Sequence, residues 1–228
     1  MSPGFIRSPG PLGAELSGAS PGLPRRTSTG QILRAAESVF ARHGFGGATM
    51  AAIAEAAGLP KANLHYYFGS KALLYRAVLE DILSTWLADA DVWIVAGHTP
   101  RVGLTGYIRA KMAWTQSRSD ASRIFAGEML AGAAHIRHFL GYELRAHVDR
   151  MSQVFAHWVG QGLMQPVSPE HLLFCIWAMT QSYADFTPQM EAVLGRGQGL
   201  RDDDYATACD TILRLVLRGC AIEETGIA

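Results

Sequence analysis

The chain has 228 residues, 49% of them hydrophobic and 18% charged, enough for a sizeable core in one or two domains and too apolar for a disordered or collagen-like chain. The 20 basic and 20 acidic residues cancel, and the three cysteines (Cys175, Cys209, Cys220) form no C-x-x-C pair, which argues against a disulfide framework or cysteine-rich zinc site and suits a reducing cytoplasm. No run is long and apolar enough to span a bilayer, and the N-terminal stretch lacks a signal-peptide hydrophobic segment.

The zero net charge hides an uneven distribution. Between Arg25 and Arg76 seven basic residues meet two acidic ones, whereas from Ala77 onward twelve basic residues meet seventeen acidic ones. A small basic block joined to a larger acidic one suits a two-part DNA-binding regulator, although a chance split gives the same numbers. Residues 1–26 are rich in Pro, Gly and Ser, carry no hydrophobic period, and read as a disordered arm. Arg25 and Arg26 at its end suit a contact with phosphates or a minor groove; a merely solubilising tail is the other reading.

Beyond the arm the apolar pattern is helical throughout, so an all-α chain is predicted: a three-helix DNA-binding domain over 27–76, then a helical ligand-binding and dimerisation bundle over 77–228. The first helix covers about Thr29 to His43, with Ile32, Ala36, Val39 and Phe40 on one face and Gly44 as the stop. The second covers Met50 to Ala57, capped by Thr49 and ended by Gly58. The third covers Pro60 to Tyr67, and the fourth runs from Lys71, behind a Ser70 cap, to the Trp93 region. Further helices are predicted over Arg101–Ser117, Ala121–Leu130, Ile136–Val159, Pro169–Leu194 and Asp203–Ala221. The last two carry Phe174, Ile176, Trp177, Met179, Ile212, Leu213, Leu215, Val216 and Leu217. That is more apolar surface than one small core accommodates, and a two-helix face for a homodimer accounts for it; plain burial in a bundle is the alternative.

The run from Ala48 to Tyr67, ATMAAIAEAAGLPKANLHYY, joins two short helices at Gly58-Leu59. Ile53, Ala54, Ala57 and Leu64 pack inward, and the small alanines allow a steep, close crossing, the helix-turn-helix geometry whose second helix enters a major groove. That second helix exposes Lys61, Asn63, His65 and Tyr67, side chains able to bond base edges or phosphates. Lys71 stands where an ammonium and backbone amides hold a phosphate.

Ile32 to Leu83 resembles the N-terminal domain of TetR-family transcriptional repressors. The resemblance is carried by Ala36, Phe40, Gly44, Thr49, Ile53, Ala54, Ala57, Gly58, the run Leu64-His65-Tyr66-Tyr67-Phe68, and Ser70-Lys71 with Leu74. By position it implies that Thr49, Tyr67 and Lys71 meet phosphates of a palindromic operator. It also implies that Lys61, Asn63 and His65, with Ala62 on the same stretch, face the bases. Pro60 departs from a frequent Ser cap, Ala51 from a basic or polar contact, and His65 from a frequent Tyr; these departures concern the operator sequence.

The second half resembles the pyrimidine-utilisation regulators within that family, in the runs Tyr107 to Lys111, Glu128 to Gly132 and Ile176 to Phe186. The resemblance implies a uracil or thymine effector and control of pyrimidine catabolism. The residues fit such a ligand. Trp177, Gln181 and Asp185 share one helical stripe, as do Tyr107, Lys111 and Trp114. An indole stacks on a flat base, and a glutamine amide both donates and accepts, matching adjacent N–H and C=O groups. Lys111 is placed to bond a carbonyl oxygen, and Trp86 to link this pocket with the DNA-binding domain. A core stripe with a polar edge, and an outward-snorkelling lysine, are the plainer readings.

Enzyme motifs are missing: Gly195, Gly197 and Gly199 follow no predicted strand and lack the remaining dinucleotide signature, and no P-loop, nucleophile elbow or H-E-x-x-H occurs. The expectation is a non-enzymatic regulator without cofactor or metal, with a drug- or lipid-responsive TetR-type repressor as the alternative.

Overall fold

A computed structural model describes residues 23–222, and the predicted arm lies outside them up to residue 22. The described residues contain helices and no strand. In chain order these are α1 (Leu23–Gly47), α2 (Met50–Ala57), α3 (Lys61–Phe68), α4 (Lys71–Trp93), α5 (Pro100–Ser117) and α6 (Ser119–Leu130). There follow α7 (Arg137–Phe139), a π turn (Leu140–Leu144), α8 (Arg145–Gly160), α9 (Pro169–Asp185), α10 (Thr187–Leu194) and α11 (Asp202–Gly219). None of them is long and apolar enough to cross a membrane.

Local chemistry sets most ends. The helix α1 begins at Leu23 rather than near Thr29, with Pro24 in its first turn, where the missing N–H has no helical partner to lose. It breaks at Gly44, whose φ of 64° is open to glycine at little cost. The hydroxyls of Thr49, Ser70 and Thr99 accept from Ala52, Leu73 and Val102 backbone N–H groups and cap α2, α4 and α5. Pro60 precedes α3 and supplies no side-chain cap, so the helix starts one position later than predicted, at Lys61.

Two predicted helices are interrupted. The one expected over Pro169–Leu194 stops at Asp185 and resumes at Thr187. Pro188 cannot continue a helix, because its ring meets the carbonyl four residues earlier; the Thr187 hydroxyl instead donates to the Tyr183 and Ala184 carbonyls. The one expected over Ile136–Val159 passes through the π turn Leu140–Leu144 before settling into α8.

Packing produces two cores. The first gathers Ile32, Phe40, Ile53, Leu64, Leu74, Leu79 and Ile82 of α1–α4, and Ile124 of α6 and Ile136 also join it. The second gathers Leu104, Ile108, Phe155, Trp158, Leu173, Ile176, Ile212 and Val216 of α5, α8, α9 and α11. The helix α4 serves both, since its Ala90 belongs to the second core while Val78 and Leu83 belong to the first.

The apolar residues assigned to a dimer face divide differently. Ile176, Ile212, Leu213, Val216 and Leu217 are buried within the chain, and Trp177 and Met179 pack against its core. Phe174 and Leu215 remain exposed, joined by Phe186. The bundle is larger than the sequence pattern suggested, because four helices contribute to the second core and use most of this surface.

Helix α5 lies so close to two tryptophans that side chains are excluded at two of its positions. A Cβ at Gly106 would sit 2.0 Å from the Trp93 ring, and one at Gly103 would sit 2.7 Å from Trp158. The Trp158 indole is fully buried, and its Nε1–H donates to the His98 carbonyl at 2.8 Å. Gly106→Ala is therefore expected to destabilise the protein by about 1–3 kcal/mol through overpacking, despite the better helix propensity of alanine. Chemical denaturation followed by circular dichroism measures this, and an unchanged or raised midpoint would contradict the packing described.

Candidate functional site

The first candidate surface is the pair α2 and α3. Gly58 ends α2 in a left-handed conformation (φ 65°, ψ 30°), and the Leu59 N–H donates to the Ala54 carbonyl at 3.0 Å. The Gln31 amide of α1 donates to the Ala57 carbonyl at 2.8 Å and ties down the same helix end. Ala54 and Ala57 are buried at the crossing, and Leu64 fixes α3 from beneath. Lys61, Ala62, Asn63 and His65 are then exposed along α3, as is Thr49 at the start of α2, while Tyr67 is half-buried.

Two side chains in this set have roles within the domain. The His65 Nδ1 lies 3.0 Å from the Gly69 carbonyl. A carbonyl only accepts, so in the neutral ring Nδ1 carries the proton and Nε2 faces outward as an acceptor. The Lys71 ammonium, expected on a phosphate, is turned inward. It donates to the carbonyls of Phe45 (2.7 Å) and Ala48 (2.9 Å), approaches that of Gly46 (3.4 Å), and lies 4.7 Å from the Phe45 ring centroid. These carbonyls lie where α1 ends, and the cation satisfies them. Tyr66, 74% exposed with its ring edge-to-face against Tyr67, was missed as a contact candidate. The signal was present, since only part of a Tyr-Tyr-Phe run fits beneath so short a helix.

The second candidate is a cavity of about 40 Å³ lined by Leu83, Trp86 and Leu87 of α4, Tyr107 and Lys111 of α5, Phe125 of α6, Leu144 of the π turn, and Trp177 and Gln181 of α9. A smaller void of about 10 Å³ adjoins it, sharing Trp86, Lys111 and Gln181 and adding Trp114, Thr115, Arg118 and Ser122. The Trp177 Nε1–H donates to the Tyr107 hydroxyl at 2.7 Å, which sets the angle of both rings. The Lys111 side chain is only 8% exposed, its ammonium 5.1 Å from the Trp86 ring and 5.9 Å from that of Tyr107. Among the described residues neither this ammonium nor the Gln181 amide has a hydrogen-bond partner. Burial lowers the Lys111 pKa to about 8, against the pull of Asp89 and Asp185.

Of the six residues predicted for a ligand site, Trp86, Lys111, Trp177 and Gln181 meet in the main cavity. Trp114 lines only the smaller void, its Nε1–H donating to Asp89 at 2.5 Å. Asp185 lines neither, because α9 carries it past the cavity to accept from the Ser122 hydroxyl at 2.6 Å; burial raises its pKa. An i, i+4, i+8 stripe drifts around a straight helix, so its last member meets a different neighbour.

Residues 32–78 match the family described as "Bacterial regulatory proteins, tetR family", and residues 79–223 match "YcdC-like protein, C-terminal region". The chain belongs to the TetR family. Relatives include the HTH-type transcriptional regulator RutR of Escherichia coli (strain K12), 42% identical over 189 residues that cover 82% of this chain and 88% of RutR. The HTH-type transcriptional repressor SCO4008 of Streptomyces coelicolor is 29% identical over 179 residues, covering 75% of this chain and 88% of that protein. In fold, the ketosteroid transcriptional regulator KstR2 of Mycobacterium tuberculosis superposes with a TM-score of 0.65 at 19% identity, covering 86% of this chain and 95% of KstR2. A TetR-like regulator from Rhodococcus sp. RHA1 gives 0.63 at 20% identity, covering 88% of this chain and all of that one.

In this TetR-family chain the cavity residues absent from the predicted ligand set are Leu83, Leu87, Tyr107, Phe125 and Leu144. The leucines and Phe125 read as ordinary core positions, and Leu144 reaches the cavity from a π turn that no periodicity announces.

Two outcomes follow for the charged side chains. On a duplex selected for binding, Lys61→Ala should cost about 1–3 kcal/mol and relax specificity at the base it faces, since its exposed ammonium stands among the side chains expected to read bases. Lys71→Met should weaken binding with the slope of log affinity against log salt unchanged; a lowered slope would restore Lys71 to the backbone contacts. Lys111→Met should stabilise the protein at pH 7 by about 1–3 kcal/mol, because a charge disfavoured by burial is removed. The native state releases this proton near pH 8, before the unfolded chain does. Wild-type stability should therefore rise between about pH 8 and the ordinary lysine range, and that rise should be missing in Lys111→Met. Denaturant titrations across pH measure both.

Proposed function

We propose that the protein is a cytoplasmic, homodimeric operator-binding repressor. Its DNA affinity is lowered by a small, flat, polar ligand, best matched by uracil or thymine, and it controls pyrimidine catabolism. The observation that carries this reading is the meeting of Lys111, Gln181, Trp86 and Trp177 in one cavity walled by α4. An unpartnered buried ammonium favours a carbonyl oxygen, an unpartnered carboxamide favours an edge with both N–H and C=O, and indoles favour a flat ring. The resemblance of the three C-terminal runs to pyrimidine-utilisation regulators, and the 42% identity to RutR, support the same reading. The polar groups Lys111 and Gln181 among the aromatic walls favour a small polar ligand over the drug or lipid alternative.

The mechanism follows from the size of the cavity. About 40 Å³ is far below the roughly 300–1,000 Å³ of a formed ligand pocket. A ring-sized ligand therefore enters only as the walls part. One wall is Leu83, Trp86 and Leu87 on α4, the helix that also carries Leu74, Val78 and Leu79 in the core of the DNA-binding domain. Displacing α4 turns the recognition helix α3. In a dimer related by two-fold symmetry this changes the separation of the two recognition helices, and only one separation fits successive major grooves. The ligand lowers operator affinity by its preference for the shifted state. Phe174, Leu215 and Phe186, the apolar residues left exposed on α9, on α11 and at the α9–α10 break, suit the subunit contact.

Calorimetric titration of the full chain with uracil and thymine, with cytosine as control, tests the assignment. Binding of uracil or thymine, absent or at least tenfold weaker in Lys111→Met and Gln181→Leu, is expected. The absence of heat with both bases would remove the pyrimidine assignment and leave the family membership standing.

A further inference from the structure

Arg118 stands where the two cores meet, at the corner between α5 and α6. Its Nε donates to the Glu37 Oε1 of α1 at 3.3 Å, and its Nη2 makes a closer contact with Oε2 of the same carboxylate. Asp81 of α4 lies 3.8 Å away. The guanidinium carbon is 4.8 Å from the centroid of the Trp114 ring, whose indole N–H is held by Asp89 of α4. The same side chain lines the smaller void beside Trp86, Lys111 and Gln181. One planar cation thus touches α1, α4 and α5 and borders the smaller void, which shares Trp86, Lys111 and Gln181 with the cavity. Glu37 is 12% exposed at its side chain and Arg118 is 26% exposed, so the pair is screened far less than a surface ion pair.

From Glu37 the path reaches the helix-turn-helix within α1 itself. Gln31, on the same helix, donates to the last carbonyl of α2. The contacts run from the wall of the smaller void through the Arg118 fork to Glu37, along α1 to Gln31, and on to the end of α2. A bidentate guanidinium–carboxylate pair is directional, so a small rotation of Trp114 or α4 breaks one of its two bonds. A lysine has the charge without the fork.

We propose that Arg118 is the positioning residue that carries occupancy of the cavity to the DNA-binding domain, through its fork on Glu37. This rests on the effector reading given above, and the test separates the two. Operator affinity is measured with and without saturating thymine for the full-length wild type, Glu37→Gln, Arg118→Gln and Arg118→Lys, with thymine binding followed by calorimetry. The wild type should lose about 10- to 100-fold in operator affinity on adding thymine. All three variants should still bind thymine, but their loss should shrink to below about threefold. By reciprocity, their thymine affinity should become nearly the same on free and operator-bound protein. Glu37→Gln and Arg118→Lys keep the shape of the site, so a purely structural role would lower the melting temperature and leave the thymine effect intact, which would overturn the proposal.

A second arm needs no ligand. Gln181→Leu and Glu37→Gln are combined in a double-mutant cycle on operator affinity, in the wild type and in an Arg118→Gln background. Coupling that is present in the first and lost in the second supports the proposal; additivity in both overturns it. If the wild type binds neither base, the effector reading fails and this cycle alone decides on Arg118.

Discussion

The helix α4 is one unbroken rod shared between two cores, and most of the molecule depends on that sharing. Its 23 residues span about 35 Å. The first half buries Leu74, Val78 and Leu79 against the short helices of the DNA-binding domain, and the second half presents Leu83, Trp86 and Leu87 to the cavity. A helix of this length bends little without a proline or an inserted group, and α4 has neither. Movement at one end is therefore delivered at the other. Packing along its whole length, rather than a flexible linker, joins the two functions.

The cavity is held against a cost. Burial of the Lys111 side chain disfavours its charge, and Asp89 and Asp185 compensate only in part. Two indole N–H groups are already satisfied by Tyr107 and Asp89. Lys111 and Gln181 retain unmatched polarity in the cavity, and a ligand that supplies a carbonyl and an N–H at those points recovers it. On the proposed reading, stability given up in the free protein reappears as selectivity for such a ligand.

Two of the three lysines predicted for functional contacts, Lys71 and Lys111, have opposite fates for one physical reason. Lys71 finds the carbonyls that α1 leaves unbonded at its end and satisfies them. Lys111 finds aromatic faces and no acceptor. Nothing in either local sequence distinguishes them. The end of α1 from Phe45 and the following Ala48, distant in the chain from Lys71, decide the first; Trp86 and Tyr107 decide the second.

The sequence by itself determined the helices and the helix-turn-helix. Those follow from local periodicity, from the caps Thr49 and Ser70, and from glycines at positive φ, all interactions between near neighbours in the chain. It also offered Trp86, Lys111, Trp177 and Gln181 as one site, from helical stripes and a resemblance in the runs containing most of them, beside the plainer reading of a core stripe and an outward lysine. Tertiary structure decided what lay at the ends of those stripes. Asp185 passes the cavity and meets Ser122, Leu144 enters it from a π turn, and Arg118 closes on Glu37 of α1. Each of these depends on how far one helix has turned relative to another across a long loop of chain, a quantity set by core packing and carried by no single segment.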